Sequence, residues 1–279
     1  MSAFDALADL VILVLVALVP ALLYLSWVRR VERFQTDWGP ILRAFVYGAI
    51  FATIVAAILE LIIVEVGTSV SIRYPGPEFL FLNGNSTTGV FFLVLVVAPF
   101  IEEGLKATGV VRAGPAFRVV ADGLVFGAAV GLGFGFFETF LYGLSAYAVG
   151  GLTAGVTLII IRSLSSVLLH GSSTSMFGYG YAQSKLNGRS GSTGAYYLLA
   201  VLMHATFNAL ASLGAILTAL GVSSAFSDYG DLIGLLLAFV FAWTAIEYAR
   251  GIILQSDFPG AMGLSSRYRP PAVKPRAPN

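Results

Sequence analysis

Residues 89–111 read GVFFLVLVVAPFIEEGLKATGVV, an apolar run interrupted near its middle by two adjacent carboxylates and an ammonium, Glu102, Glu103 and Lys106. A hydrocarbon core about 30 Å thick needs about 20 apolar residues in helical form, and in lipid only a helix or a closed barrel satisfies its own backbone. Wound as a helix, the run places Glu102 and Lys106 one turn apart and Glu103 three residues before Lys106, so either carboxylate can pair with the ammonium. Each charge held at mid-helix costs about 2.5–3.5 kcal/mol to insert. The polar face of this segment must therefore meet other helices rather than lipid.

Six further stretches have the same length and character: 5–28, 42–66, 120–147, 153–182, 195–217 and 230–250. Hydrophobic residues make up 57% of the 279-residue chain and charged residues only 11%, against about 25% charged in a soluble domain. The expected fold is all-α, a polytopic transmembrane helix bundle of about seven helices over residues 1–254. Residues 255–279, rich in Pro, Arg and Ser, read as a disordered basic tail. Asp5 and Asp9 lead the first run where a secretory signal would carry Lys or Arg, so it reads as a retained helix. A net charge of +1 argues against nucleic acid as a partner. Without cysteine, thiolate nucleophiles and cysteine metal sites are excluded, and any metal must be held by His, Asp or Glu.

Other helices carry matching polar residues. Glu138 lies in the fourth, Arg162 and His170 in the fifth, His204 and Asn208 in the sixth, and these are the chain's only two histidines. Gly123, Gly127, Gly131 and Gly135 recur every fourth residue, a stripe that lets another helix approach closely. Ser163, Ser166, His170, Ser173 and Thr174 form one polar stripe. Five buried charges would together cost about 12–17 kcal/mol unpaired, as much as a whole domain's stability. A structural role alone explains that cost poorly, since hydrogen bonds between helices in lipid return only about 0.6 kcal/mol each. Two histidines and a carboxylate are a common ligand set for catalytic zinc, and a further glutamate can act as base on the bound water. Glu138, His170 and His204, with Glu102 or Glu103, supply this inventory. A proton- or cation-coupled transporter is the competing reading, because buried Glu and His also make relays, although the inverted repeat common in transporters is not visible. A non-catalytic scaffold with a polar core is a third. Rise per residue sets Glu102 and His204 roughly 14 Å from the cytoplasmic helix ends and Glu138 roughly 25 Å.

At Glu102-Glu103-x-x-Lys106, Phe134-x-x-x-Glu138, His170 and His204-x-x-x-Asn208 the chain resembles the PrsW family of intramembrane metalloproteases, related to the CAAX prenyl protease and bacteriocin-processing superfamily. The resemblance covers roughly 89–212, and the catalytic core is expected over about 89–217. It implies catalysis by Glu102, Glu103, Glu138, His170 and His204, with Lys106 and Asn208 in support. The metal, zinc, would be held by Glu138, His170 and His204. A metal-independent glutamate protease of the CAAX type is the alternative within the superfamily. The resemblance also implies a membrane-anchored protein substrate such as an anti-sigma factor. Of the neighbouring glutamates, it favours Glu102 as the base and Glu103 as the partner of Lys106.

Basic residues set the orientation. Arg29, Arg30, Arg33, Arg43, Arg112, Arg118, Lys185, Arg189, Arg250, Arg267, Arg269, Lys274 and Arg276 fall on one side, against Arg73 alone on the other. The N-terminus is expected outside and the C-terminus in the cytoplasm, in a multi-pass protein of the cell membrane. Reporter fusions in the loop at Asn85 and after Arg250 are expected to read opposite sides of the bilayer. A readout from the same side would overturn the count of seven crossings.

Overall fold

A computed structural model describes residues 3–32 and 35–256. The tail expected from 255 falls, from 257 onward, outside the described residues. Every regular element among them is helical: α1 (Ala3–Arg29), α2 (Trp38–Arg73), α3 (Thr87–Ala116), α4 (Val120–Leu164), α5 (Ser166–Asn187), α6 (Ser192–Ala211), the short α7 (Leu213–Ala219) and α8 (Ser224–Ser256). A 3-10 segment, Pro77–Leu82, links α2 to α3.

Six helical stretches among the described residues are long and apolar enough to cross a membrane. One of them, Val120–Asn187, is 68 residues long, far more than a single crossing requires. It is folded back on itself. At Gly151 the backbone leaves helical geometry with φ 71°, a left-handed conformation open to glycine at little cost. Beyond that point the chain returns beside the arm it has left. Gly143 lies against the Ile159 side chain, Gly131 against the carbonyl of His170, and Gly123 against the carbonyl of Gly178. The residue numbers in these pairs fall on one side as they rise on the other, the register of an antiparallel helical hairpin. This stretch therefore supplies two passes. A second break at Ser165 (φ −126°, ψ −75°) separates α4 from α5, so the fifth expected helix is two helices meeting at an angle. The sixth stops at Ala211 and not at 217.

The first arm of α4 and the first half of α5 form the buried centre, including Leu124, Phe126, Val130, Leu132, Leu168 and Leu169. The glycine stripe puts backbone against backbone there, the kind of contact that dispersion forces reward in lipid. The surrounding helices turn Leu, Ile, Val and Phe outward, among them Leu23, Leu61, Leu202, Leu236 and Val240. In lipid such a surface needs no polar cover.

A Cβ on Gly131 would collide with the His170 carbonyl. Gly131→Val is therefore expected to lower stability by about 1–3 kcal/mol or more, measured by thermal unfolding in detergent. Wild-type stability would show that the hairpin does not pack through this stripe.

Candidate active site

Four helices bring their polar residues to one place, and the local sequence explains each placement. Helix α3 carries a π-helical turn over Leu93–Val97 followed by Pro99. One turn later Glu102, Glu103 and Lys106 project inward, all buried. Lys106 Nζ donates to Glu103 Oε1 at 2.8 Å and approaches Glu102 Oε2 at 3.4 Å. It also meets His170 Nδ1 at 2.9 Å and stands 4.3 Å above the Phe134 ring. An ammonium can only donate, so Nδ1 of His170 accepts. The His170 proton is then on Nε2, which donates to Glu138 Oε2 at 2.9 Å. Glu138 in turn takes Arg162 NH2 at 2.7 Å, and Arg162 lies 3.9 Å over the Tyr142 ring.

His204 is held in the same manner from the other side. Its Nδ1 lies 3.1 Å from Glu103 Oε1, and a carboxylate only accepts, so the proton is on Nδ1 and Nε2 is bare. That bare nitrogen stands 3.8 Å from Glu102 Oε2, and Nδ1 of His170 stands 3.9 Å from the same oxygen. Three electron-pair donors thus face one another across less than 5 Å. Such an arrangement is repulsive unless something electropositive lies among them, and Lys106 meets only part of the need.

The two adjacent glutamates have different surroundings. Glu103 is saturated: besides Lys106 and His204 it accepts from Ser173 Oγ at 3.0 Å and Thr174 Oγ1 at 3.3 Å. Among the described residues, Glu102 takes a hydrogen bond only from Lys106, the longer one. The residues expected from sequence, Glu102, Glu103, Lys106, Glu138, His170 and His204, all meet in this one cluster. Asn208 does not join it and turns instead to the backbone of α3. Two residues were not anticipated. Tyr142 packs under Arg162, and Glu60 on α2 buries one carboxylate oxygen without a hydrogen-bond partner among the described residues. A carboxylate inside the apolar run 42–66 was a signal available in the sequence.

The donor chemistry suits a metal such as zinc. The three groups with mutually close donor atoms are Glu102, His170 and His204, so the carboxylate of the set is Glu102. Glu138 lies one layer farther out, reaching the opposite nitrogen of His170. Each imidazole has its second nitrogen held by a carboxylate, the pattern that orients metal-binding histidines. Because Lys106 stands beside His170 Nδ1, a bound cation and the Lys106–His170 contact exclude one another.

A sequence model described as PrsW family intramembrane metalloprotease matches residues 36–246. No curated protein and no solved structure matches the chain.

Breaking one partner of a buried ion pair strands the other. Glu103→Gln is therefore expected to cost about 3–5 kcal/mol, read as a lower unfolding temperature. Adding Lys106→Met should recover part of the loss. If the double variant is no more stable than Glu103→Gln alone, the pair is not the source of the stability.

Proposed function

We propose, from the premise that this chain belongs to the PrsW family of intramembrane metalloproteases, that it hydrolyses peptide bonds of membrane-anchored proteins with water activated by Glu102. The chain is a multi-pass membrane protein and an intramembrane protease by family. The observation that carries the finer reading is the contrast between the two glutamates. Glu103 is fully engaged by Lys106, His204, Ser173 and Thr174, whereas Glu102 has spare capacity and faces the unprotonated nitrogens of both histidines.

In this reading a water molecule lies beside Glu102, and the carboxylate takes its proton as the oxygen attacks the scissile carbonyl. Glu102 then returns that proton to the departing nitrogen, as general acid–base catalysis requires. Glu103 keeps the His204 proton on Nδ1, and Glu138 keeps the His170 proton on Nε2, so both rings offer a lone pair inward. Arg162 balances the charge of Glu138. His170 and His204, with one oxygen of Glu102, would hold a zinc ion while the other oxygen of Glu102 serves as the base; when bound, the ion would acidify the water and polarise the carbonyl. The buried position excludes bulk water from the reaction. In the same reading the substrate is a membrane-anchored protein such as an anti-sigma factor, the catalytic core spans about 89–217, and the C-terminus lies in the cytoplasm.

Glu102→Gln keeps shape and removes basicity. It is expected to lower cleavage of a membrane-anchored substrate in proteoliposomes by about 10²–10⁴-fold, with the unfolding temperature nearly unchanged. Normal cleavage by that variant, with a stable but inactive Glu103→Gln, would reverse the assignment. Purified protein is expected to hold about one zinc per chain, lost in His170→Ala and in His204→Ala. Full activity after exhaustive chelation would favour the metal-independent glutamate mechanism.

A further inference from the structure

Just before the two glutamates, α3 departs from regular α-helix. Over Leu93–Val97 it winds as a π-helix, and the Ala98 N–H is given to the carbonyl of Leu93, five residues back. The next bond of that ladder would run from residue 99 to the carbonyl of Val94. Residue 99 is proline, which has no N–H. The α-helical alternative is also closed, because Ala98, the residue four beyond Val94, has committed its donor to Leu93. The Val94 carbonyl is thus deprived of both backbone donors in a helix surrounded by lipid and protein, where an unsatisfied carbonyl is costly.

The missing donor comes from another helix. Asn208 Nδ2 donates to the Val94 carbonyl at 2.9 Å. Asn208 stands one turn after His204 on α6, and His204 Nδ1 bonds Glu103 on α3. Helix α6 is therefore fastened to α3 at two levels, through the backbone before Pro99 and through the carboxylate after it. Tyr197 adds a third fastening, its hydroxyl donating to the carbonyl of Phe100 at 2.9 Å. A π-turn inserts an extra residue and so rotates everything after it. The direction of Glu102 and Glu103 depends on where that turn is locked.

We infer that Asn208 is a positioning residue: by supplying the donor that Pro99 lacks, its amide locks the π-turn of α3 and sets the rotation that brings Glu103 to His204 and Glu102 to the paired imidazoles. This deepens the proposed function and rests on it for the roles of Glu102 and His204. Its test reads the His204 ring and not cleavage, so the two can fail separately.

With two histidines in the chain, protein labelled with 15N-histidine gives two ring environments in detergent micelles. Asn208→Leu is expected to shift the His204 ring nitrogens away from the Nδ1–H form held by Glu103, leaving the His170 ring in place. Pro99→Ala supplies a backbone N–H next to the bare carbonyl. Combined with Asn208→Leu it is expected to return the His204 signals toward wild type. Thermal unfolding of the single and double variants gives a second measure. The drop in unfolding temperature caused by Asn208→Leu is expected to be smaller when Pro99→Ala is present. An unchanged His204 spectrum in folded Asn208→Leu protein would overturn the inference, as would equal temperature losses with and without Pro99→Ala.

Discussion

The ammonium of Lys106 has no exposure to solvent, and the arrangement of the bundle follows from the need to compensate it. Removing an ion from water costs several kcal/mol, repaid only where geometry and hydrogen bonding are good. Here the compensation is drawn from two helices and an aromatic face: Glu103 and Glu102 on α3, Nδ1 of His170 on α5, and the Phe134 ring on α4. The bond to His170 also dictates the tautomer of that ring, because an ammonium offers no acceptor. The proton forced onto Nε2 is what Glu138 receives, and the negative charge of Glu138 is in turn answered by Arg162. One buried charge thus organises a chain of alternating donors and acceptors across the bundle. Glu102, with the weakest share of the ammonium, is left with capacity for a ligand or a water.

Backbone proximity makes this compensation possible. His170 reaches α3 because α4 and α5 lie close enough for Gly131 to touch the His170 carbonyl itself. Side chains at that stripe would push α5 outward and carry His170 away from Lys106. The reversal at Gly151 and the break at Ser165 serve the same end, since they return the chain antiparallel and re-aim it before His170. Packing and chemistry are therefore coupled: small residues, which lipid-embedded helices favour for close approach, set the spacing of the reactive groups.

Much of the site was legible before any coordinates. The insertion cost of a charge is local, so Glu102, Glu103, Lys106, Glu138, Arg162, His170 and His204 stood out against apolar runs whatever their partners, and helical spacing showed that either of the adjacent glutamates could reach Lys106. The glycine stripe announced a close helix contact, although not with which helix. Less visible were breaks inside helices. Ser165 is not a residue that stops a helix by its own chemistry and did not mark its bend, whereas the reversal at Gly151 falls between the expected stretches 120–147 and 153–182. Glu60 went unread because the two carboxylates of the apolar run 42–66, Glu60 and Glu65, carry no motif.

The sequence by itself determined that this is a membrane bundle with a polar interior shared by several helices, because composition and periodicity act through each segment's own transfer energy. It also placed both histidines and three carboxylates within that interior. Only the tertiary structure decided which atoms face which. Axial rise along separate helices suggested a gap of about 11 Å between Glu138 and the level of Glu102, and that arithmetic takes no account of the imidazole lying between them. His170 spans the two layers, with Glu138 at Nε2 and Glu102 on the Nδ1 side. That is why the convergent donor set contains Glu102 and why Glu138 orients a ring. The distinction turns on helix rotation and on differences of about an ångström, which are set by contacts between distant segments and leave no trace in the local order of residues.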